Sequence, residues 1–293
     1  MRRALAWIAL AALAGAAEPP ARPPSFSGRA ALEFTRNAVS FGPRPSGSAA
    51  ARRLRAYIRA ELALCRCQVE EDAFTAETPS GPVPMTNLIA RFGGVSGRMV
   101  VITGHYDTKS MPGGHFVGAN DGGSSTGFLL ELAQALARLP HRNEIALVWF
   151  DGEEAFRQWS QTDGTYGSRH LARKWAADGT LARMRALINV DMIGDRELGI
   201  LNDRHSSATL RRLIWNSAAE LGLGRYFLTA PGAILDDHMP FVSAGVNAAD
   251  LIDFDYGPDN SYWHTSRDTL DKLSADSFRV VGTVVLEVIQ RLE

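Results

Sequence analysis

Residues 144–154 read EIALVWFDGEE, an apolar run that leads directly into three acidic residues. Residues 145–150 are apolar without polar alternation, which is typical of a strand buried on both faces of a parallel sheet. Asp151, Glu153 and Glu154 follow at the point where this strand ends. Adjacent carboxylates repel each other, so stability alone gives little reason to place Glu153 and Glu154 side by side. The pair therefore points to a function at the end of this strand.

Apolar runs of the same kind recur along the chain and alternate with segments of helical periodicity. Strands are predicted at 68–73, 87–92, 98–103, 144–150, 186–190 and 248–252, and helices at 29–40, 48–64, 126–139, 168–177, 207–221, 238–243 and 274–292. Strands that alternate with helices indicate an α/β fold. We expect a three-layer sandwich, in which helices cover both faces of a mostly parallel central sheet.

Polar residues gather at or just beyond the carboxyl ends of these strands, where ligands bind in open α/β sheets. They are His105, Asp107, Asp121, Asp151, Glu153, Glu154 and Asp191. Taken singly, each acid is more often an ordinary surface residue. As a set, converging carboxylates repel one another unless a cation balances them. The pattern therefore predicts a metal site.

Carboxylate oxygen and imidazole nitrogen without thiolate are the donors of a catalytic zinc site with three protein ligands and an open position. The candidate ligands are Asp121, Glu154 and His264. Asp121 begins the glycine-rich segment DGGSSTG, which allows a tight turn before the next helix, and His264 lies in YWHTSRDT after the last strand.

The segments GHYDT (104–108), GANDGG (118–123), FDGEE (150–154), NVDMIGD (189–195) and WHT (263–265) resemble, in this order, the motifs of zinc-dependent aminopeptidases. The resemblance extends from about residue 40 to residue 293. A narrower one overlies it: residues 150–172, FDGEEAFRQWSQTDGTYGSRHLA, together with HYDTK, LDDHMPF and YWHT, are similar to glutaminyl cyclases. Those enzymes share the aminopeptidase fold but convert N-terminal glutamine to pyroglutamate and release ammonia.

The glutaminyl cyclase resemblance assigns roles to particular residues. It implies zinc ligands at Asp121, Glu154 and His264, a general acid/base at Glu153, supporting acids at Asp191 and Asp236, and pocket walls at Trp159 and Trp263. It further implies a zinc-dependent acyltransferase with one zinc per chain, which acts on the N-termini of peptides and proteins. Under this interpretation Glu154 is neutralised by the metal while Glu153 stays free to move protons.

The alternative is an aminopeptidase that hydrolyses N-terminal residues with two zinc ions. Its ligand set would add His105 and Asp191 to the three candidates, and both residues are present. The glycine-rich segment at 118–127 is also more like the aminopeptidases. The loop that carries Trp159 favours the cyclase, because it would close the pocket around a small five-membered transition state. A non-catalytic binding domain is a third hypothesis, but it would have no need for Glu153.

Several residues depart from the animal cyclases or have uncertain roles. Gly104 and Thr126 occupy positions where animal cyclases carry paired cysteines, which we expect to affect stability more than chemistry. Leu235 makes the pocket edge less polar. Lys109 could contact the carboxyl side of the substrate, although an exposed loop lysine is the favoured interpretation, and His238 could lie at the pocket edge or be structural.

The N-terminus indicates export. Residues 1–17 begin with a basic MRR, continue with an apolar run and contain small residues near the end, which is typical of a signal peptide. Residues 18–28 are predicted to be a proline-rich lead-in, and residues 29–293 a single catalytic domain, periplasmic or secreted. The net charge of −1 gives no reason to expect nucleic acid or an anionic membrane as partner, and we expect a monomer. Cys65 and Cys67 are either a disulfide or two thiols.

Overall fold

The computed structural model describes residues 25–111, 113 and 115–293. The helices are α1 Gly28–Ser40, α2 Ala49–Leu62, α3 Gly123–Leu136, α4 Tyr166–Ala177, α5 Ala208–Glu220, α6 Met239–Ser243 and α7 Ala275–Leu292. The strands are β1 Gln68–Thr78, β2 Gly81–Phe92, β3 Met99–His105, β4 Glu144–Phe150, β5 Met184–Asp191, β6 Ile200–Asp203, β7 Phe227–Gly232 and β8 Ala248–Ile252. The predicted signal peptide and most of the predicted lead-in lie outside the described residues.

Six strands form the central sheet in the order β1-β2-β4-β3-β5-β8. Strands β4, β3, β5 and β8 are mutually parallel, whereas β1 and β2 form an antiparallel hairpin at one edge. The predicted mostly parallel sheet is therefore confirmed. Because β3, β4, β5 and β8 run in one direction, their carboxyl ends meet along one rim.

Successive residues of β3 point to opposite faces of the sheet, as the period of a strand requires. Val100 and Ile102 pack into the larger core with α1, α2, α3 and α7, whereas Val101 packs with Trp175 of α4 and Phe241 of α6 on the other face. These side chains are fully buried or nearly so. Helices thus cover both faces of the sheet, as predicted.

The last residues of the predicted lead-in pack on the domain. Phe26 is buried, and its ring lies 4.9 Å from that of Phe128. It also fills the space above Gly282 of α7, where a Cβ atom would come within 2.1 Å of the Phe26 ring. Ser27 caps α1 by accepting a hydrogen bond from the backbone N–H of Ala30.

Two features were not predicted from the sequence. Strands β6 and β7 pair in parallel as a separate small sheet, and α3 begins at Gly123 rather than at residue 126.

Cys65 and Cys67 are free thiols. Within the described part of the chain, no helix combines the length and apolar character that a membrane crossing requires.

Candidate active site

A cavity of about 520 Å³ opens at the carboxyl rim of the sheet. Its floor consists of buried carboxyl groups, those of Asp121, Glu153, Glu154, Asp191 and Asp236. They come from the start of α3, the loop after β4, the end of β5 and the segment before α6. The topology therefore brings together the acids that the sequence placed at separate strand ends.

Asp121, Glu154 and His264 converge at one side of this floor. Oδ2 of Asp121 and Oε2 of Glu154 each lie 3.2 Å from Nε2 of His264. Zinc–ligand bonds of about 2.0–2.2 Å in tetrahedral geometry place neighbouring donor atoms about 3.3 Å apart. Oδ2 of Asp121 is also buried without a hydrogen-bond partner among the described residues. The donor types, their spacing and the unpartnered oxygen fit a zinc ion.

The charge of these carboxylates acts strongly on His264. Burial lowers the pKa of this imidazole, but the close contacts and negative charges of the Asp121 and Glu154 carboxylates outweigh burial and raise the pKa to about 10. The site thus attracts positive charge. Metal binding requires the neutral imidazole, so a bound cation would replace that proton.

A second group of possible ligands shares Asp121. Nε2 of His105 lies 3.2 Å from Oδ1 of Asp121 and 3.2 Å from Oδ1 of Asp191, and these three residues could also hold a metal ion. Burial lowers the pKa of His105, but Asp191, Asp107 and Asp121 outweigh it and raise the pKa well above the usual value. Both the one-metal and the two-metal ligand sets are therefore assembled.

The backbone around Asp121 is held in a demanding conformation. Gly122 has φ +74°, and a Cβ atom there would lie 2.4 Å from the carbonyl oxygen of Asp107 and 3.0 Å from the His105 ring. A residue at position 122 needs a positive φ and no Cβ atom, and only glycine meets both requirements. The Asp268 carboxylate accepts the backbone N–H of Asn120 at 2.8 Å and that of Asp121 at 3.1 Å. These contacts fix the turn from which Asp121 projects.

His264 has a left-handed backbone, with φ 51°. Few residues other than glycine adopt this conformation, and such positions concentrate at functional sites. Trp263 stacks on the His264 ring with centroids 4.1 Å apart, and Phe116 contacts the same ring edge-on at 5.7 Å. Aromatic packing thus holds the imidazole toward Asp121.

Arg44 is a site residue that sequence reasoning missed. Its buried guanidinium donates hydrogen bonds to the carbonyl oxygens of Tyr106 and Gly118, each at 2.8 Å, and to that of Val117. Burial lowers the pKa of Arg44 to about 10, and the nearby charges of Asp268 and Asp121 partly offset this. Arg44 therefore ties the loop before Asp121 to β3 and adds positive charge beneath the acids.

Glu153 is 7% exposed and lines the cavity beside the triad. Burial raises the pKa of its carboxyl group well above the usual value, and the charges of Glu154 and Asp236 add to this, while His105 opposes it. The Glu153 carboxyl group can hold and release a proton near neutral pH when a cation is bound close to it. This is the behaviour expected of the predicted acid/base.

Asp236 belongs to a buried polar network. Its Oδ2 accepts a hydrogen bond at 3.1 Å from Nδ2 of Asn189, which also lies 3.1 Å from Oδ1 of Asp250. Burial and the charge of Asp191 raise the pKa of Asp236 to about 6. Asp191 and Asp236 both line the cavity, so the structure brings the two predicted supporting acids beside Glu153.

The mouth loop, residues 156–163, carries Trp159 and is preorganised by Asp163. The Asp163 carboxylate accepts backbone N–H groups from Phe156 at 2.8 Å, Arg157 at 2.9 Å and Gln158 at 3.0 Å. Trp159 lies against Gly164, where a Cβ atom would meet the indole at 3.0 Å. Trp159 and Trp263 line the cavity and are 38% and 36% exposed, so these predicted walls lie at its opening.

Lys109, His238 and Leu235 were also singled out in the sequence, and the structure shows where each one lies. An exposed position was favoured for Lys109, but its side chain is only 19% exposed, lines the cavity and has its Nζ 3.7 Å from Oε2 of Glu154. His238 is fully buried, 3.3 Å from Asp203, and is not among the cavity-lining residues, which favours the structural alternative. Leu235 lies at the cavity edge and is 53% exposed.

Comparison with known proteins identifies the family. The chain matches the model for peptidase family M28 over residues 87–289. A glutaminyl-peptide cyclotransferase of Drosophila melanogaster is 30% identical over 268 residues, which cover 82% of this chain and 75% of that protein. The crystal structure of an Acidobacteriales bacterium glutaminyl cyclase is 40% identical, with a TM-score of 0.88 over 95% of this chain and 99% of that one.

The chain belongs to peptidase family M28, the class of zinc aminopeptidase-like proteins that its fold and site define. Within this class it groups with the glutaminyl-peptide cyclotransferases, which are acyltransferases. The predicted family, fold class and enzyme class are therefore confirmed. A Zn-dependent exopeptidase from Parabacteroides distasonis is 26% identical, with a TM-score of 0.82 over 92% of this chain and 99% of that one. That protein depends on zinc, and the donor set described above fits the same metal.

Proposed function

We propose that this enzyme converts the N-terminal glutamine of peptides and proteins to pyroglutamate and releases ammonia. The observation that carries the proposal is the position of Glu153, a buried carboxyl group next to the Asp121–Glu154–His264 triad, in a cavity whose opening is lined by two tryptophans. The relatedness to glutaminyl-peptide cyclotransferases supports it.

The cavity suits a single N-terminal residue. Its floor of carboxyl groups can bind the α-amino group of the substrate, which reacts as the neutral amine, and the rings of Trp159 and Trp263 at the opening can pack against the apolar part of the bound residue. Holding the amine against the γ-amide removes most of the entropic barrier to their reaction. No water is required as a nucleophile, which distinguishes this reaction from peptide hydrolysis.

We assign proton transfer to Glu153. The substrate α-amine attacks its own γ-carbonyl carbon, a new N–C bond forms, and the bond from that carbon to the amide nitrogen breaks. Glu153 accepts the proton that the amine loses and delivers it to the amide nitrogen, which leaves as ammonia. Asp191 and Asp236 would orient Glu153 and stabilise its charge changes. Zinc held by Asp121, Glu154 and His264 would polarise the γ-carbonyl.

We further propose one zinc ion per chain. His105 is hydrogen-bonded to Asp191 at 3.2 Å and contacts Asp121 at the same distance. A protonated His105 would balance these two carboxylates without a second metal. Two zinc ions remain the arrangement of the aminopeptidase alternative.

Export and a monomeric state also belong to this proposal. The composition of residues 1–17 supports a signal peptide, followed by a catalytic domain at 29–293 that acts in the periplasm or outside the cell.

The decisive experiment combines an ammonia assay with a zinc measurement on one sample. A peptide that begins with glutamine should release one ammonia per molecule and yield pyroglutamate, with no shortening of the chain. Free amino acids from varied N-termini without ammonia, together with about two zinc ions per chain, would instead establish the aminopeptidase.

A further inference from the structure

The cavity has a sharp difference in charge between floor and mouth. Its buried floor is acidic, whereas its exposed lining residues are neutral with one exception. Gln158, Trp159, Ala233, Leu235 and Trp263 carry no charge, and among the exposed lining residues Arg157 is the charged one. The mouth therefore presents a single positive charge.

The position of Arg157 is defined by its backbone. Its N–H donates to Oδ2 of Asp163 at 2.9 Å, within the network that orders the mouth loop. The guanidinium has no carboxylate within ion-pair distance among the described residues. Lys109, the other cation that lines the cavity, is engaged by the carbonyl oxygen of Ala155 at 3.2 Å and lies close to Glu154. Arg157 is thus the cation available to a bound peptide.

The reaction itself dictates how a peptide must lie. The α-amine and γ-amide of the first residue have to reach Glu153 and the triad on the floor, so the rest of the peptide leaves through the mouth. Arg157 and Trp159 line this mouth, so a second residue that leaves along their side of it would lie next to the Arg157 guanidinium. We propose that Arg157 is a specificity-determining residue, which favours peptides with an acidic residue directly after the N-terminal glutamine and disfavours a basic one. The inference rests on the proposed function.

The expected effect is modest, because exposed ion pairs contribute little and are screened by salt. We expect kcat/KM for a peptide that begins Gln-Glu to exceed that for one that begins Gln-Lys by about fivefold to tenfold at low ionic strength. The difference should lie mainly in KM, because the contact is equally strong in the ground state and the transition state. It should shrink toward unity in 0.5 M salt, where the Debye length is about 4 Å.

The test measures cyclisation of three otherwise identical peptides, with Glu, Ala or Lys at the second position. R157A should keep its turnover of the Ala peptide and lose the Glu-over-Lys preference, R157E should invert the preference, and R157K should retain it. R53A is the matched control, because Arg53 is an exposed arginine of α2 that does not line the cavity. Its preference should equal that of the wild type.

The outcomes separate this inference from the function on which it rests. If the wild type releases no ammonia from any of the three peptides, the proposed function is wrong and the inference falls with it. If the wild type cyclises all three but R157A keeps the Glu-over-Lys preference, only the role of Arg157 is refuted. Loss of turnover of the Ala peptide in both R157A and R157K would also refute it, because Arg157 would then be needed for catalysis as such.

Discussion

Oδ2 of Asp121, at the start of α3, lies 3.2 Å from Nε2 of His264, in the loop after β8. The two atoms come from distant parts of the chain, so the site is complete only in the folded protein. The tight turn at Gly122 fixes the position of Asp121. A left-handed backbone and the stacked ring of Trp263 fix the position of His264. Their spacing matches that of neighbouring zinc ligands, which leads to the first prediction.

His264→Ala should weaken zinc binding by more than about a hundredfold, since it removes one of three protein ligands. Zinc content after dialysis against a mild chelator measures the loss. His115→Ala, which removes an exposed histidine outside the cavity lining, is the control and should retain its metal. A His264→Ala protein that holds zinc as tightly as the wild type would take this residue out of the ligand set.

Glu153→Gln should lower kcat by about 10²- to 10⁴-fold, because the amide keeps the shape of the side chain but cannot transfer the proton. Zinc content should be unchanged, since Glu153 is not in the triad. Steady-state ammonia release and metal analysis on the same preparation check both statements. Glu197→Gln serves as the surface control. Near-normal turnover by the Glu153 variant would refute the acid/base assignment.

Gly122→Ala should destabilise the protein by about 3 kcal/mol or more and reduce zinc affinity. The new Cβ would combine left-handed strain with a 2.4 Å approach to the Asp107 carbonyl oxygen, and relief of that contact would move Asp121. Gly245→Ala is a matched control: its φ is +81° but nothing lies within 4 Å of the added Cβ.

The Gly245→Ala control should therefore lose about 1 kcal/mol of stability from backbone strain alone and keep its metal. Denaturant unfolding and zinc titration measure the two effects. Equal behaviour of the two alanine variants would show that the contact at Gly122 is unimportant.

Asp163→Asn should destabilise the mouth loop by about 2 kcal/mol and raise KM, because a charged acceptor of three backbone N–H groups is lost. Burial raises the pKa of Asp163, but hydrogen bonds from Arg157, Phe156 and Tyr166 outweigh burial and hold the pKa below its usual 3.8. A lowered folded-state pKa means that the contribution to stability is complete well above pH 3.8 and is lost as the pH falls through the folded-state pKa.

The difference in unfolding free energy between wild type and Asp163→Asn should accordingly be constant from about pH 6 to pH 5 and decline below the usual carboxyl pKa of about 3.9. Denaturant melts at a series of pH values measure it. A difference that grows as the pH falls would contradict the assigned sign.

The sequence predicted the central strands well, because a strand buried on both faces is encoded by consecutive apolar residues. The predicted bounds of β4 and β8 agree with the structure to the residue. Strands β6 and β7 were missed because they are short and partly exposed, and β7 contains Pro231. The start of α3 was placed too late because its first turn, Gly123–Ser125, continues a glycine-rich segment that periodicity does not identify as helix.

The convergence of Asp121, Glu154 and His264 was also predictable, since parallel strands present their carboxyl ends on one rim. The residues that position them were not. Arg44 binds backbone carbonyl groups 62 and 74 residues away, which become its neighbours only in the folded chain. No spacing rule links such a side chain to its backbone partners, so their roles depend on the three-dimensional structure.

The packing of Phe26 on Gly282 has a consequence for the order in which the domain is built. Phe26 precedes α1, and Gly282 lies in α7, so this contact requires both α1 and α7 to be present. During synthesis Phe26 can pack on Phe128 of α3 first, but the side of its ring that contacts Gly282 stays uncovered until α7 emerges. Closure of the domain at this contact therefore follows the synthesis of α7, and a truncation within α7 should leave Phe26 without its contact to Gly282.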